Sequence, residues 1–99
     1  MTLREDIRYE LCHLARKHHL KRLILFGSRA KDTCWERSDI DLAAPFSSAR
    51  QYFDFQDDIE EIKTLLMFDI VDLNSDMINL NLLEDIKKDG IILYEEDMA

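Results

Sequence analysis

Three observations predict an α/β domain with a small mixed β-sheet packed with helices. Short apolar runs of strand type, at 23–26, 38–44, 68–73 and 91–94, alternate with longer stretches whose apolar residues recur every three or four positions. Strong stop signals (Gly27, Pro45 and Gly90) close three of these segments. The 99 residues, 46% of them hydrophobic, suffice for one core and leave no linker, repeat or low-complexity tract, so residues 1–99 are expected to form a single domain. A domain of this size buries roughly two-thirds of its unfolded surface, and association with a partner would add to its stability.

The first helix is predicted over 3–18. Thr2 and Glu5 have the spacing of a capping box, and Leu3, Ile7, Leu11 and Leu14 share one face. His13, His18 and His19 gather near its end, where histidines favour the helix dipole, and they are given no chemistry. Next, Leu23, Ile24, Leu25 and Phe26 read as a strand that stops at Gly27, with a short helix from Ser28 to Lys31. Residues 38–44 alternate as a half-buried strand does, putting Asp39, Asp41 and Ala43 on one face and Ile40, Leu42 and Ala44 on the other. After Pro45, Ser48 and Gln51 form a second capping-box pattern, and Tyr52, Phe55, Ile59, Ile62 and Leu66 form a buried stripe. Asp57, Asp58, Glu60 and Glu61 read as its solvated side. The strand from Phe68 carries Asp69 and Asp72, which three-residue spacing sends to opposite faces. Asn79 caps a last helix that runs through Lys88 and stops at Gly90, and a closing strand leads into a frayed tail at Glu95, Glu96 and Asp97.

Charge and cysteine usage narrow the function classes. Thirteen basic against 21 acidic residues give a net charge of −8, which argues against a general nucleic-acid binder. Lys21, Arg22, Arg29, Lys31 and Arg37 fit better as counter-charges near a triphosphate. Cys12 and Cys34 have no disulfide or metal spacing and read as reduced thiols. Arg4, Glu5, Asp6 and Arg8 interrupt any signal peptide, and no apolar run is long enough to span a membrane, so a cytoplasmic location is expected.

Two stretches carry the chemistry. At Gly27 the absence of a Cβ lets the backbone approach a ligand, and the helix start behind it turns N–H groups outward, which suits phosphate oxygens. Asp39 and Asp41 lie about 6.5–7 Å apart along one strand face, close enough to share or bridge hard cations. Magnesium takes a few carboxylates plus water and substrate phosphates, so the combination points to a metal–nucleotide site.

Gly27-Ser28-Arg29-Ala30, seven residues, then Ser38-Asp39-Ile40-Asp41-Leu42 resembles the signature of the minimal nucleotidyltransferases of the polymerase-β-like superfamily, often encoded beside a HEPN-domain partner. Phe68-Asp69-Ile70-Val71 matches that family's third-carboxylate strand, so the resemblance covers nearly the whole chain and implies a polymerase-β-like core. Asp32 stands where the family usually has glycine, and aspartate tolerates a left-handed turn better than most residues. The resemblance implies that Asp39, Asp41 and Asp69 form the catalytic and metal-binding set. It also implies that Gly27, Ser28, Arg29 and Ser38 serve the nucleotide, with Mg2+ (two ions) as cofactor and ATP as substrate. The activity it implies is transfer of AMP to a tyrosine hydroxyl of a HEPN-type toxin, by an antitoxin that forms a hetero-oligomer with its target. Three other classes stay open at this stage: a transferase subunit acting on a small molecule, a nucleotide-binding module without turnover, and an antitoxin that acts by contact alone. The three intact carboxylates favour an enzyme, because crowded negative charge is costly unless a cation relieves it.

Overall fold

The computed structural model describes residues 1–35 and 37–96. Its elements run α1 (Glu5–Lys17), β1 (Arg22–Phe26), α2 (Ser28–Lys31), β2 (Ile40–Ala44), α3 (Ala49–Glu60), β3 (Phe68–Asp72), α4 (Leu80–Asp89) and β4 (Ile91–Glu95). The four strands form one mixed sheet in the order β3-β2-β1-β4. β1 is antiparallel to both β2 and β4, and β2 and β3 are parallel. The expected α/β class and every predicted element are present.

The two sheet faces have different cover. α1 and α3 pack on one face, where Leu11, Leu25, Leu42, Phe55 and Ile59 are fully buried, each contributing about 1.5–3 kcal/mol relative to exposure. On the other face Ile86 of α4 packs with Phe26 and Ala43, flanked by Ile24, Val71 and Leu82. Asp41 lies on this second face, beyond the apolar cluster. Period-two alternation sends Ile40, Leu42 and Ala44 into the first core and leaves Asp41 and Ala43 on the second side.

Several local expectations are replaced by tertiary contacts. Thr2 and Glu5 do not form a capping box. The N-cap of α1 is Arg4, which makes no side-chain cap, and the Thr2 hydroxyl donates to Asp32 Oδ1 at 2.6 Å. Asp58 is not part of a purely solvated face. Its Oδ2 lies 2.9 Å from Lys17 Nζ and 2.7 Å from His18 Nε2, which fastens α3 to the end of α1. These bonds, Lys17 first, hold the Asp58 carboxyl below the usual range. α3 ends at Glu60, so Ile62 and Leu66 reach the core from the following loop. The expected caps do form where Ser48 Oγ accepts from Gln51 N and Asn79 Oδ1 accepts from Asn81 N and Leu82 N.

Gly90 ends α4 for a reason other than handedness. Its φ of −66° is ordinary, but a Cβ there would collide with the Ile86 carbonyl and stand 2.7 Å from Ile24 Cγ2. Glu95 belongs to β4, and Glu96 N donates to Lys21 O at 2.8 Å, so these two residues are not a frayed tail. Asp97 lies outside the described residues.

Candidate active site

Strand register brings the carboxylates together. Asp41 of β2 stands directly opposite Asp69 of β3 on one side and Phe26 of β1 on the other. Because β2 and β3 are parallel and in register, Asp41 and Asp69 project from the same sheet face. Asp39 precedes the first residue of β2, so the strand is two residues shorter than its alternation suggests. Asp39 and Asp69 are exposed and Asp41 is half-buried. Burial, then the charge of Asp69, then that of Asp39 push the Asp41 carboxyl above its usual range.

Gly27 explains how the phosphate-type turn meets this cluster. It has φ +75° and ψ −154°, a conformation reserved for glycine. A Cβ there would collide with Asp41 Oδ2 and stand 3.2 Å from Asp41 Cγ. The missing Cβ is therefore the space in which the Asp41 carboxylate sits. Ser28 opens α2 immediately behind. Asp32 closes α2 in the left-handed region at φ 60°, as expected of an aspartate standing in for glycine. Its carboxylate accepts from the Met1 amino group and the Thr2 hydroxyl, which hold the Asp32 carboxyl below the usual carboxylate range.

The residues expected to touch nucleotide divide into two groups. Gly27 lies against Asp41 with Ser28 next in the turn, but Arg29 is only 5% exposed. Its Nε and Nη2 donate to the Ser38 carbonyl at 3.1 and 2.9 Å, and Nη1 donates to the Thr2 carbonyl at 3.1 Å. Arg29 thus fastens the loop between the turn and the carboxylate strand. Ser38 also braces this loop, with Oγ accepting from Trp35 N at 2.8 Å. Three of the other basic residues expected as counter-charges are placed elsewhere. Lys21 and Arg22 lie at the opposite end of β1 from Gly27, and Lys31 Nζ pairs with Asp89 at 3.5 Å.

Asp72 falls on the other face from Asp69, as the three-residue spacing requires. Its Oδ1 accepts from Phe46 N at 3.2 Å and Asn74 N at 2.9 Å, which caps the end of β3. Sequence reasoning missed the Arg29 clamp and the bond from the Tyr52 hydroxyl to the Ile70 carbonyl (3.1 Å), which pins the strand carrying Asp69. The aromatic stripe placed Tyr52 near the core, but only strand packing reveals its polar partner.

Among the described residues, no three His, Cys, Asp or Glu side chains already close on a common point. The arrangement nevertheless fits magnesium, which takes one or two carboxylates and completes its octahedron with water and phosphate oxygens. A half-buried carboxyl whose charge is disfavoured by two neighbouring carboxylates gains when a cation binds. A model of the polymerase beta nucleotidyltransferase family matches residues 10–99. The chain belongs to that family. No curated protein matches the chain. Among solved structures, one neighbour of this nucleotidyltransferase is a toxin–antitoxin crystal structure with AMP-PNP. It has a TM-score of 0.70 and 23% identity, over 91% of this chain and 74% of that one. Another is a mutant of the toxin–antitoxin MntA–HpeT with two aspartates changed to glutamate. It has a TM-score of 0.69 and 21% identity, over 91% of this chain and 74% of that one. Both likenesses establish the fold. Among the described residues no helix is long and apolar enough to cross a membrane.

Proposed function

We propose that this nucleotidyltransferase moves AMP from ATP onto a tyrosine hydroxyl of a HEPN-type toxin, and that it acts as the antitoxin of that pair in the cytoplasm. The observation that carries the reading is the register Asp41↔Asp69 set against the Gly27 turn, where the Asp41 carboxylate fills the place of a side chain. The toxin–antitoxin neighbours, one of them with AMP-PNP, support the choice of nucleotide and partner.

In this mechanism Gly27 and Ser28 hold the β- and γ-phosphates through backbone N–H and hydroxyl groups. Arg29 and Ser38 fix the intervening loop, so the turn and the carboxylates keep one spacing. Asp39, Asp41 and Asp69 would hold magnesium, which would supply positive charge against the α-phosphate and the departing pyrophosphate. Asp69 accepts the proton of the acceptor hydroxyl. The acceptor oxygen bonds to the α-phosphorus as the bond to the bridging oxygen breaks, and pyrophosphate leaves in line.

Intact-mass spectrometry of the toxin after incubation with this protein, ATP and magnesium tests the reading. A gain of one or more AMP units, absent with Asp39→Asn or Asp41→Asn, is the expected outcome. A toxin that is inhibited but unmodified rules it out and leaves inhibition by contact.

A further inference from the structure

We infer that the apolar groove along the free edge of β3 is the docking surface for the acceptor, and that the acceptor is a protein with apolar side chains and a basic rim around its hydroxyl. The inference takes its orientation from the transfer reading above. In-line displacement puts the attacking and leaving oxygens on opposite sides of phosphorus. With the phosphate turn following β1 and the carboxylates on β2 and β3, the attacking hydroxyl arrives from the β3 side, where the sheet ends. From Asp69 the same sheet face leads to Val71, two residues or about 6.5–7 Å further along.

Val71 lines a groove of about 560 Å³ together with Tyr52, Phe53, Met77, Ile78 and Leu82. Phe53 is 59% and Met77 91% exposed, large apolar areas to leave in water beside a reaction centre. Asp72, Ser75 and Asn79 also line the groove, but oxygens of all three already accept backbone N–H bonds (from Phe46 and Asn74, from Met77, and from Asn81 and Leu82), so the exposed lining is mainly apolar and suits a protein surface. Charge selects the partner further. In segments 49–57 and 69–85, every charged residue except Arg50 is acidic, and Arg50 pairs with Asp54 at 3.7 Å. A nucleic acid is repelled by this rim, and a basic protein surface is attracted.

The test uses the full chain with the purified HEPN-type toxin as probe. Phe53→Glu and Met77→Ser are expected to weaken association at least tenfold and to leave magnesium-dependent ATP binding within twofold. Leu65→Glu, at a fully exposed leucine outside the groove, is the control and is expected to change neither. Hydrogen exchange of the complex is expected to show new protection in 49–53 and 71–82. Unchanged association in both groove variants, an equal loss in Leu65→Glu, or protection confined to other surfaces would overturn the assignment. Loss of ATP affinity in the groove variants would also overturn it, because the groove would then serve the nucleotide. Association and protection are read without turnover, so a complex that docks through the groove but gains no AMP refutes the transfer reading and leaves the docking surface standing.

Discussion

Gly27→Ala separates backbone strain from displacement of the carboxylate. At φ +75° and ψ −154° an alanine is held in a region that costs about 1–3 kcal/mol. The new methyl also meets Asp41 Oδ2, but that atom is the end of a side chain that can rotate away. Strain therefore dominates the stability loss, and rotation of Asp41 dominates the functional loss. For a domain of this size each kcal/mol shifts Tm by about 4–8 °C, so a fall of about 5–20 °C is expected in thermal unfolding. In an Asp41→Ala background most of that fall should persist, because the strain remains when the carboxylate is gone. Gly90→Ala is the control. It is destabilising through contact with Ile86 and Ile24, at an ordinary φ, and it leaves Asp41 in place. Magnesium-dependent nucleotide affinity should fall in Gly27→Ala and hold in Gly90→Ala. A Gly27→Ala protein as stable as the wild type, or a cost that vanishes with Asp41→Ala, would refute the reasoning.

Three further outcomes follow from the same geometry. Asp41 has a raised carboxyl, so its charge weakens the fold increasingly as pH climbs from the unfolded aspartate value of about 3.9 through the higher folded one. Asp41→Asn should thus raise Tm at neutral pH without divalent cation, and magnesium should stabilise the wild type more than the variant. A lower metal-free Tm for Asp41→Asn would contradict this. Asp58 has the opposite sign: its lowered carboxyl stabilises the fold above about pH 3.9, and that contribution is lost as pH falls through the folded value. Urea unfolding should therefore show the wild type losing more stability than Asp58→Asn on acidification below pH 4, and equal losses would exclude the Lys17 and His18 contacts as the cause. Arg29→Met leaves the Ser38 and Thr2 carbonyls without these donors and should destabilise by about 1–3 kcal/mol. Arg29→Lys cannot reproduce the fork and should recover only part of this by chemical denaturation, so full recovery would show that charge alone suffices.

What the sequence determined by itself was local. Alternation along Ile40-Asp41-Leu42-Ala43 set which side chains share a face, because a strand turns its side chains over at every residue whatever it pairs with. The same parity separated Asp69 from Asp72, and the three-and-four spacing of Phe55 and Ile59 placed them in the core. Gly27 was identifiable as a site of close approach. Only the tertiary structure decided what approached it, since Asp41 lies 14 residues further on and reaches Gly27 through the β1–β2 register. Arg29 looked like a phosphate contact by its place in the motif, yet its guanidinium goes to carbonyls at Ser38 and Thr2. Lys21 and Arg22 are close to Gly27 in sequence but lie at the far end of a strand that carries them away. Thr2 and Asp58 left their local patterns for partners about 30 and 40 residues distant. Periodicity and caps follow from backbone geometry within a few residues. Partners of buried or half-buried polar groups follow from strand order and register, which no short stretch of sequence contains.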